Sequence, residues 1–294
     1  MEIKKLEELF MCTYYHYCSL DSFLSIIQNA SFRLGNPFKM NDCDEIKWLI
    51  KNLTNNYEFY TSHLTVNDKE DFKQMFDTLF ESNNVIKDNW YFQNIEPPYI
   101  ASLSEEGDIL SQWRAYANNG KGVAIGFDGD FISQNSKVII EKIVYDSYEQ
   151  SNIINDKILC KDWLNEYKSC NGKGTKNWVT TCENILHDIV LNALLCKNPG
   201  FMEEKEYRII YDDEFEYLKN DVKIPISKIK YRVNDNAIIP FREMDFSKCK
   251  ENALVEIIIG PKAEISENEM EKMLSCYGYS ISRIKISKSR TGYR

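Results

Sequence analysis

Three stretches of this sequence hold side chains able to do chemistry. Y-Y-H-Y at Tyr14–Tyr17 sets His16 among aromatic residues, S-Q-W-R-A-Y at Ser111–Tyr116 sets Arg114 beside Trp113 and Tyr116, and E-K-E-Y-R at Glu204–Arg208 alternates carboxylates with an arginine. Residues two apart in a β-strand share a face, so a strand over Glu204 to Tyr211 aims Glu204 and Glu206 into one cleft. A neutral His16 needs only one tautomer to donate a hydrogen bond. Arg114 offers a planar fork for paired oxygens, and Trp113 or Tyr116 a ring face for a flat ligand. Each has a plainer explanation: a satisfied strand histidine, helical core aromatics three apart, and a same-face row of ion pairs worth little to stability.

Other chemistry finds no support. G-x-G-x-x-G, G-x-x-x-x-G-K-[ST], G-x-S-x-G and H-E-x-x-H are all absent, and His16, His63 and His187 are the only histidines, none with a partner at zinc-ligand spacing. Asn41, Asp42, Asp44 and Glu45 could seat a divalent cation, although turn and cap chemistry explains them as well. A net charge of −9 over 294 residues argues against broad phosphate-backbone binding, while Lys285, Lys288, Arg290 and Arg294 make the last stretch a basic end that reads most simply as a solvated tail. Nine cysteines without a C-x-x-C pair, and a Met1–Phe10 stretch lacking the apolar centre of a signal peptide, imply free thiols and a cytoplasmic protein without a membrane partner.

The elements that must position these residues follow from periodicity. Tyr14 to Cys18 reads as a strand, and Ser19 caps a helix with Leu20, Phe23, Leu24 and Ile27 on its apolar face. Ser31 to Leu34 is a second strand, ending before Asn36-Pro37; Asp42 and Asp44 start a helix through Trp48, and Asp68 opens another carrying Phe72, Met75, Phe76 and Leu79. Tyr99 to Ser104 is a strand, Ile109 to Ala117 a helix stopped by Asn118-Asn119-Gly120, and Gly122–Phe127 and Lys137–Tyr145 are β-branched runs. Ser147 to Cys196 is largely helical, broken near Gly172 and Gly174. Glu204–Tyr211, Leu254–Ile259 and Ser280–Ile286 supply later strands, with a capping box at Ser266-x-x-Glu269. The pattern implies one α+β domain over 1–294 with a helical insertion at about 147–196.

Y-H-Y-C-S-L, N-P-F-K-M-N-D (Asn36–Asp42), S-Q-W-R-A-Y, K-N-P-G-F (Lys197–Phe201), E-K-E-Y-R, I-I-G-P (Ile258–Pro261) and S-R-T-G-Y-R agree in order and approximate spacing with the family catalogued as domain of unknown function 2971, which the chain resembles from Tyr14 to Arg294. Gly292 departs from that pattern, which has proline there. The family's layout is similar to the ADP-ribosyltransferase fold, whose strands carry His, then an aromatic residue or Ser, then Glu. That resemblance implies a central mixed or antiparallel sheet with helical insertions, and an enzyme using NAD as substrate without a metal. Such a reaction passes through an oxocarbenium-like state, needs one well-placed carboxylate, and releases nicotinamide as a neutral group. Glu206 would stabilise that charge, Glu204 orient the acceptor, His16 with Tyr14 or Tyr17 hold a ribose hydroxyl, Ser104 fill the middle position, Arg114 hold pyrophosphate, and Trp113 or Tyr116 stack a base. The acceptor would be a protein or nucleic acid, the setting a toxin or anti-phage defence system with an antitoxin or system partner. Two other readings stay open: a metal-dependent nuclease using Asp42, Asp44 and Glu206, and a non-enzymatic sensor or interaction module.

Overall fold

The computed structural model describes residues 12–39, 44–81, 96–170, 176–213, 222–234 and 236–293. Asn41 and Asp42, the break at Gly172 and Gly174, the Met1–Phe10 stretch and Arg294 lie outside them, as do the side chains of Asp44 and Glu45. The chain forms two compact units, one of 1–36, 99–142 and 203–294, the other of 37–98 and 143–202. The helical stretch expected at about 147–196 falls in the second unit, which also takes 37–98.

The first unit is α+β and is built on a mixed sheet. β1 (Thr13–Cys18), β4 (Val123–Asp128) and β9 (Leu254–Ile259) pair antiparallel, and β10 (Lys285–Lys288) adds parallel to β9. On the other side β2 (Ser31–Gly35), β8 (Ala237–Asp245) and β7 (Lys230–Asn234) form an antiparallel set. β3 (Tyr99–Ser104) joins the two halves. One edge of it pairs along its full length with β6 (Glu206–Tyr211), which carries β5 (Ile139–Lys142). Its other edge meets β1 only at Ser104 and β2 only at Ile100, so β1 and β2 diverge from it as a fork.

α1 (Leu20–Asn29) begins as expected, with Ser19 Oγ accepting from the Ser22 amide at 3.2 Å. Its buried face is Phe23, Ile26 and Ile27, whereas Leu20 and Leu24 are exposed, so the apolar stripe is rotated from the one the periodicity suggests. Those three residues join Phe32, Leu34, Ile125, Phe127, Ile209, Ile257, Met270 and Leu274 in the main core on one face of the sheet. On the opposite face the helix Leu110–Ala115 covers a smaller cluster of Tyr17, Trp113, Ala117, Ala124 and Ile258. The helix Glu267–Cys276 carries the expected capping box.

The β7–β8 hairpin has no counterpart in the sequence reading, although Lys-Tyr-Arg-Val-Asn alternates and polar residues follow it. Conversely, the strand expected over Ser280–Ile286 starts only at Lys285, because Ile281–Arg283 coils into a single turn.

The second unit is helical. Asp44–Asn55, Val66–Phe76, Lys161–Ser169 and Lys176–Ala193 bury Leu49, Leu53, Phe72, Met75, Leu164, Leu186 and Ile189. The Val66 helix is capped by Thr65 rather than Asp68. Gln150, fully buried, donates to the carbonyls of Val144 (2.8 Å) and Lys197 (2.7 Å) and accepts from Trp48 Nε1 (3.1 Å), so its buried amide is satisfied. No helix among the described residues is long and apolar enough to cross a membrane, and the eight described cysteines are free.

A glycine sets the closeness of β4 to β1. A Cβ on Gly122 would stand 1.9 Å from the Cys18 carbonyl oxygen, whereas one on Gly292 meets nothing within 4 Å. Gly122→Ala should therefore lower stability by about 1–3 kcal/mol, as backbone must move to admit the methyl, and Gly292→Ala should leave it unchanged. Urea midpoints at constant m-value measure both.

Candidate functional site

Register decides which candidate residues meet. One row crosses five strands: Glu256 pairs with Gly126, Gly126 with Tyr15, Tyr15 with Ser104 and Ser104 with Glu206. These positions share one face, which Tyr15 confirms by donating its hydroxyl to Glu256 Oε2 at 2.6 Å. The next row on that face brings Tyr17, Ala124 and Ile258 together, and Arg208 beside Ser102. Ser104 and Glu206 are thus adjacent on neighbouring strands, buried at 2% and 3% exposure.

His16 lies on the other face. It pairs with Ile125, a core residue, and its ring meets Phe32 edge-on at 4.7 Å. Nδ1 sits 3.2 Å from the Ser102 carbonyl, an atom on the stretch of β3 that neither β1 nor β2 reaches. A carbonyl only accepts, so Nδ1 carries the proton. His16 is the wedge that fills the fork, and the expectation that it shares a cleft with Glu206 is corrected: odd and even positions of β1 serve opposite faces.

Burial pushes the His16 pKa down to about 4, with the Ser102 carbonyl pulling the other way. The unfolded chain takes a proton near pH 6.5 that the folded ring refuses, so this contribution is complete above pH 6.5 and is lost as pH falls toward 4. The loss should reach at most about 3 kcal/mol. Unfolding midpoints at pH 7 and pH 5, compared between the wild type and His16→Gln, isolate it from the other histidines; equal pH dependence in both would contradict the assignment.

Glu204 is not part of the strand. β6 begins at Glu206, Glu204 ends the 3₁₀ helix Pro199–Glu204, and Lys205 between them has φ +46°. That left-handed conformation costs a side-chain-bearing residue roughly 1–2 kcal/mol, and such strain gathers at functional sites. Glu204 still reaches the same neighbourhood: its carbonyl accepts from Ser104 Oγ at 2.8 Å, and Tyr116 donates its hydroxyl to Glu204 Oε1 at 3.0 Å. Lys205 pairs with Glu106, and its carbonyl holds the Glu105 amide at 2.9 Å.

Glu206 is held by Arg208, with Nε 2.7 Å from Oε1 and Nη2 3.3 Å from Oε2, both side chains buried. The same-face ion-pair reading of these residues therefore describes them, except that the pair is buried rather than exposed.

Tyr17 and Trp113 are committed to structure. The Tyr17 hydroxyl donates to the Glu106 carbonyl at 2.8 Å and accepts from the Ile109 amide at 2.9 Å, and its ring meets Trp113 edge-on at 4.8 Å. Trp113 is fully buried, with Nε1 donating to Asp108 Oδ1 at 2.7 Å, which leaves no ring face for a base. Tyr116 is half exposed. Arg114 and Tyr116, two positions apart on a helical turn, point to different sides: Tyr116 to Glu204, and Arg114 to Tyr293, whose ring centroid lies 4.8 Å from its Cζ.

Sequence reasoning missed Asp108. Its carboxylate accepts from Trp113, from Ser289 Oγ (2.5 Å), from Thr291 Oγ1 (2.8 Å) and from the Arg290 amide (2.7 Å). Burial raises its pKa, but these donors outweigh that and hold it below the usual value. The closing S-R-T-G-Y stretch, expected to be a solvated tail, is thereby fastened to the start of the 110–115 helix.

Among the described residues no group of three His, Cys, Asp or Glu could hold a metal ion, and Asp42 and the Asp44 side chain lie outside them.

Site and scaffold define an α+β protein whose branched mixed sheet sets Ser104 against a buried Glu206–Arg208 pair. Residues 112–209, which include Arg114, Tyr116, Glu204 and Glu206, match the family described as Protein of unknown function (DUF2971), the family to which the motifs point. No curated protein and no solved structure matches the chain.

Proposed function

We propose that the protein is an ADP-ribosyltransferase-like enzyme that uses NAD through Glu206, with Ser104 beside it and Glu204 and Tyr116 at the edge. The observation that supports this is the register pair Ser104–Glu206, with Glu204 tied to Ser104 by its carbonyl and to Tyr116 by its carboxylate. The ionised Glu206, paired with Arg208, supplies the fixed negative charge an oxocarbenium-like state requires, and a neutral leaving nicotinamide needs no acid. In this reading Glu204, less buried than Glu206, orients an acceptor on a protein or nucleic acid in the cytoplasm, the task of a toxin or defence effector. His16 has no part in this version of the site.

A second reading rests on the same pair. Glu206 is 3% exposed with both oxygens bonded to Arg208, which suits a structural ion pair inside a non-enzymatic sensor or interaction module.

The test is nicotinamide release from NAD by purified protein, alone and with cell extract as a source of acceptor. Release above the no-enzyme rate supports the first reading; its absence under both conditions moves the assignment to the second.

A further inference from the structure

The sheet ends at β7, which lies beyond β2 and β8 from the Ser104–Glu206 row and pairs, among the described residues, only with β8. In an antiparallel pair alternate residues turn their N–H and C=O groups away from the partner. The outer edge of β7 therefore keeps a row of backbone donors and acceptors that no described strand receives. Upstream the register with β8 slips by one residue, since Ile226 pairs with Met244 but Lys230 with Phe241, and Pro225 has no N–H to offer. The regular free edge is the five residues of β7.

Side chains at this end are sorted by face. Tyr231 pairs with Pro240 and Val233 with Ile238, and Tyr231, Val233 and Ile238 are 66%, 76% and 70% exposed. Apolar side chains scattered singly over a surface need no explanation, but these three adjoin on one face of one hairpin. On the other face Lys230 and Arg232 stand opposite Phe241 and Ile239, both buried. Lys230 reaches Glu243 at 2.5 Å, whereas Arg232, exposed, makes no ion pair among the described residues. β7 thus offers an unpaired backbone with apolar side chains to one side and cations to the other.

We propose that β7 receives an extended segment of another protein, about five residues long, in which apolar side chains alternate with acidic ones. Such a strand satisfies the free backbone groups, packs its apolar side chains across from Tyr231 and Val233, and sets carboxylates opposite Lys230 and Arg232. A second copy of the chain fits less well. It would pair about a two-fold axis, and the pairings centred on Tyr231 and on Arg232 oppose Lys230 to Arg232 and Arg232 to itself, both like-charge contacts. A helix would cover the apolar face but leave the backbone edge unpaired. Edge cations ordinarily keep strands from pairing indiscriminately; confined to one face, they select the partner that brings carboxylates. The surface does not depend on the Glu206 reading.

The probe is a fluorescein-labelled, end-blocked peptide Val-Glu-Val-Glu-Val-Glu, with Val-Lys-Val-Lys-Val-Lys and a form carrying proline in place of the middle valine as controls. Each is titrated by anisotropy into the wild type, Arg232→Glu, the double variant Tyr231→Ser/Val233→Ser and the remote control Lys272→Gln. The substituted positions on β7 are exposed, and urea midpoints verify that the fold is kept. Saturable binding of the acidic peptide is expected, with amide hydrogen exchange on β7 slowed in the complex. Arg232→Glu and the double variant should each weaken binding about tenfold or more, and Lys272→Gln should leave it unchanged. No saturable binding, equal binding of the lysine or proline peptide, or equal binding by all variants overturns the proposal. Sedimentation that shows a wild-type dimer, dissociated in the double variant, gives this edge to a second copy and overturns it as well.

Discussion

Arg208→Met should lower the unfolding free energy by about 3–5 kcal/mol, the cost of leaving a carboxylate buried without its cation. Arg208 is fully buried and Glu206 nearly so, with Nε–Oε1 at 2.7 Å, so water can replace little of what is lost. Glu206→Gln should also cost stability, since Arg208 then loses its charge partner while the amide keeps one acceptor. The double variant Glu206→Gln/Arg208→Met removes both charges together and should recover part of the loss, giving a coupling energy well above that of an exposed pair, roughly 0–1 kcal/mol. Chemical denaturation of the four proteins measures the cycle, and additive losses would contradict a buried pair.

The second large effect is on turnover. Under the proposed function Glu206→Gln removes the charge that stabilises the oxocarbenium-like state, and loss of such a preorganised contact costs on the order of 3–4 kcal/mol, or about a hundredfold to a thousandfold in rate. Because the same substitution weakens the fold, rates must be compared per folded molecule.

Local pattern made much of the scaffold legible. The Ser19 cap, the strands at Thr13–Cys18 and Tyr99–Ser104 and the Ser266 capping box are short-range features that a few neighbouring residues specify. The face presented by His16 was not legible, because it depends on which strands flank β1 and in what register, and on a fork that leaves the Ser102 carbonyl to a side chain. The E-x-E spacing misled for a local reason: Lys205 at φ +46° breaks the strand, and no residue type in E-K-E announces a left-handed lysine. Trp113 and Arg114 are neighbours with opposite fates, one in the core and one against Tyr293, a difference set by helical phase once Asp108 anchors the turn. The closing segment read as a solvated tail because its acceptor, Asp108, lies some 180 residues away in sequence.

The central claim is that Glu206, beside Ser104, acts on NAD. It is tested most directly by nicotinamide release from NAD by the wild type and by Glu206→Gln, each corrected for folded fraction by thermal unfolding in the same buffer. The account predicts measurable release by the wild type and a hundredfold or greater fall in the variant. Equal release by both proteins, or none by the wild type with cell extract present, would contradict it.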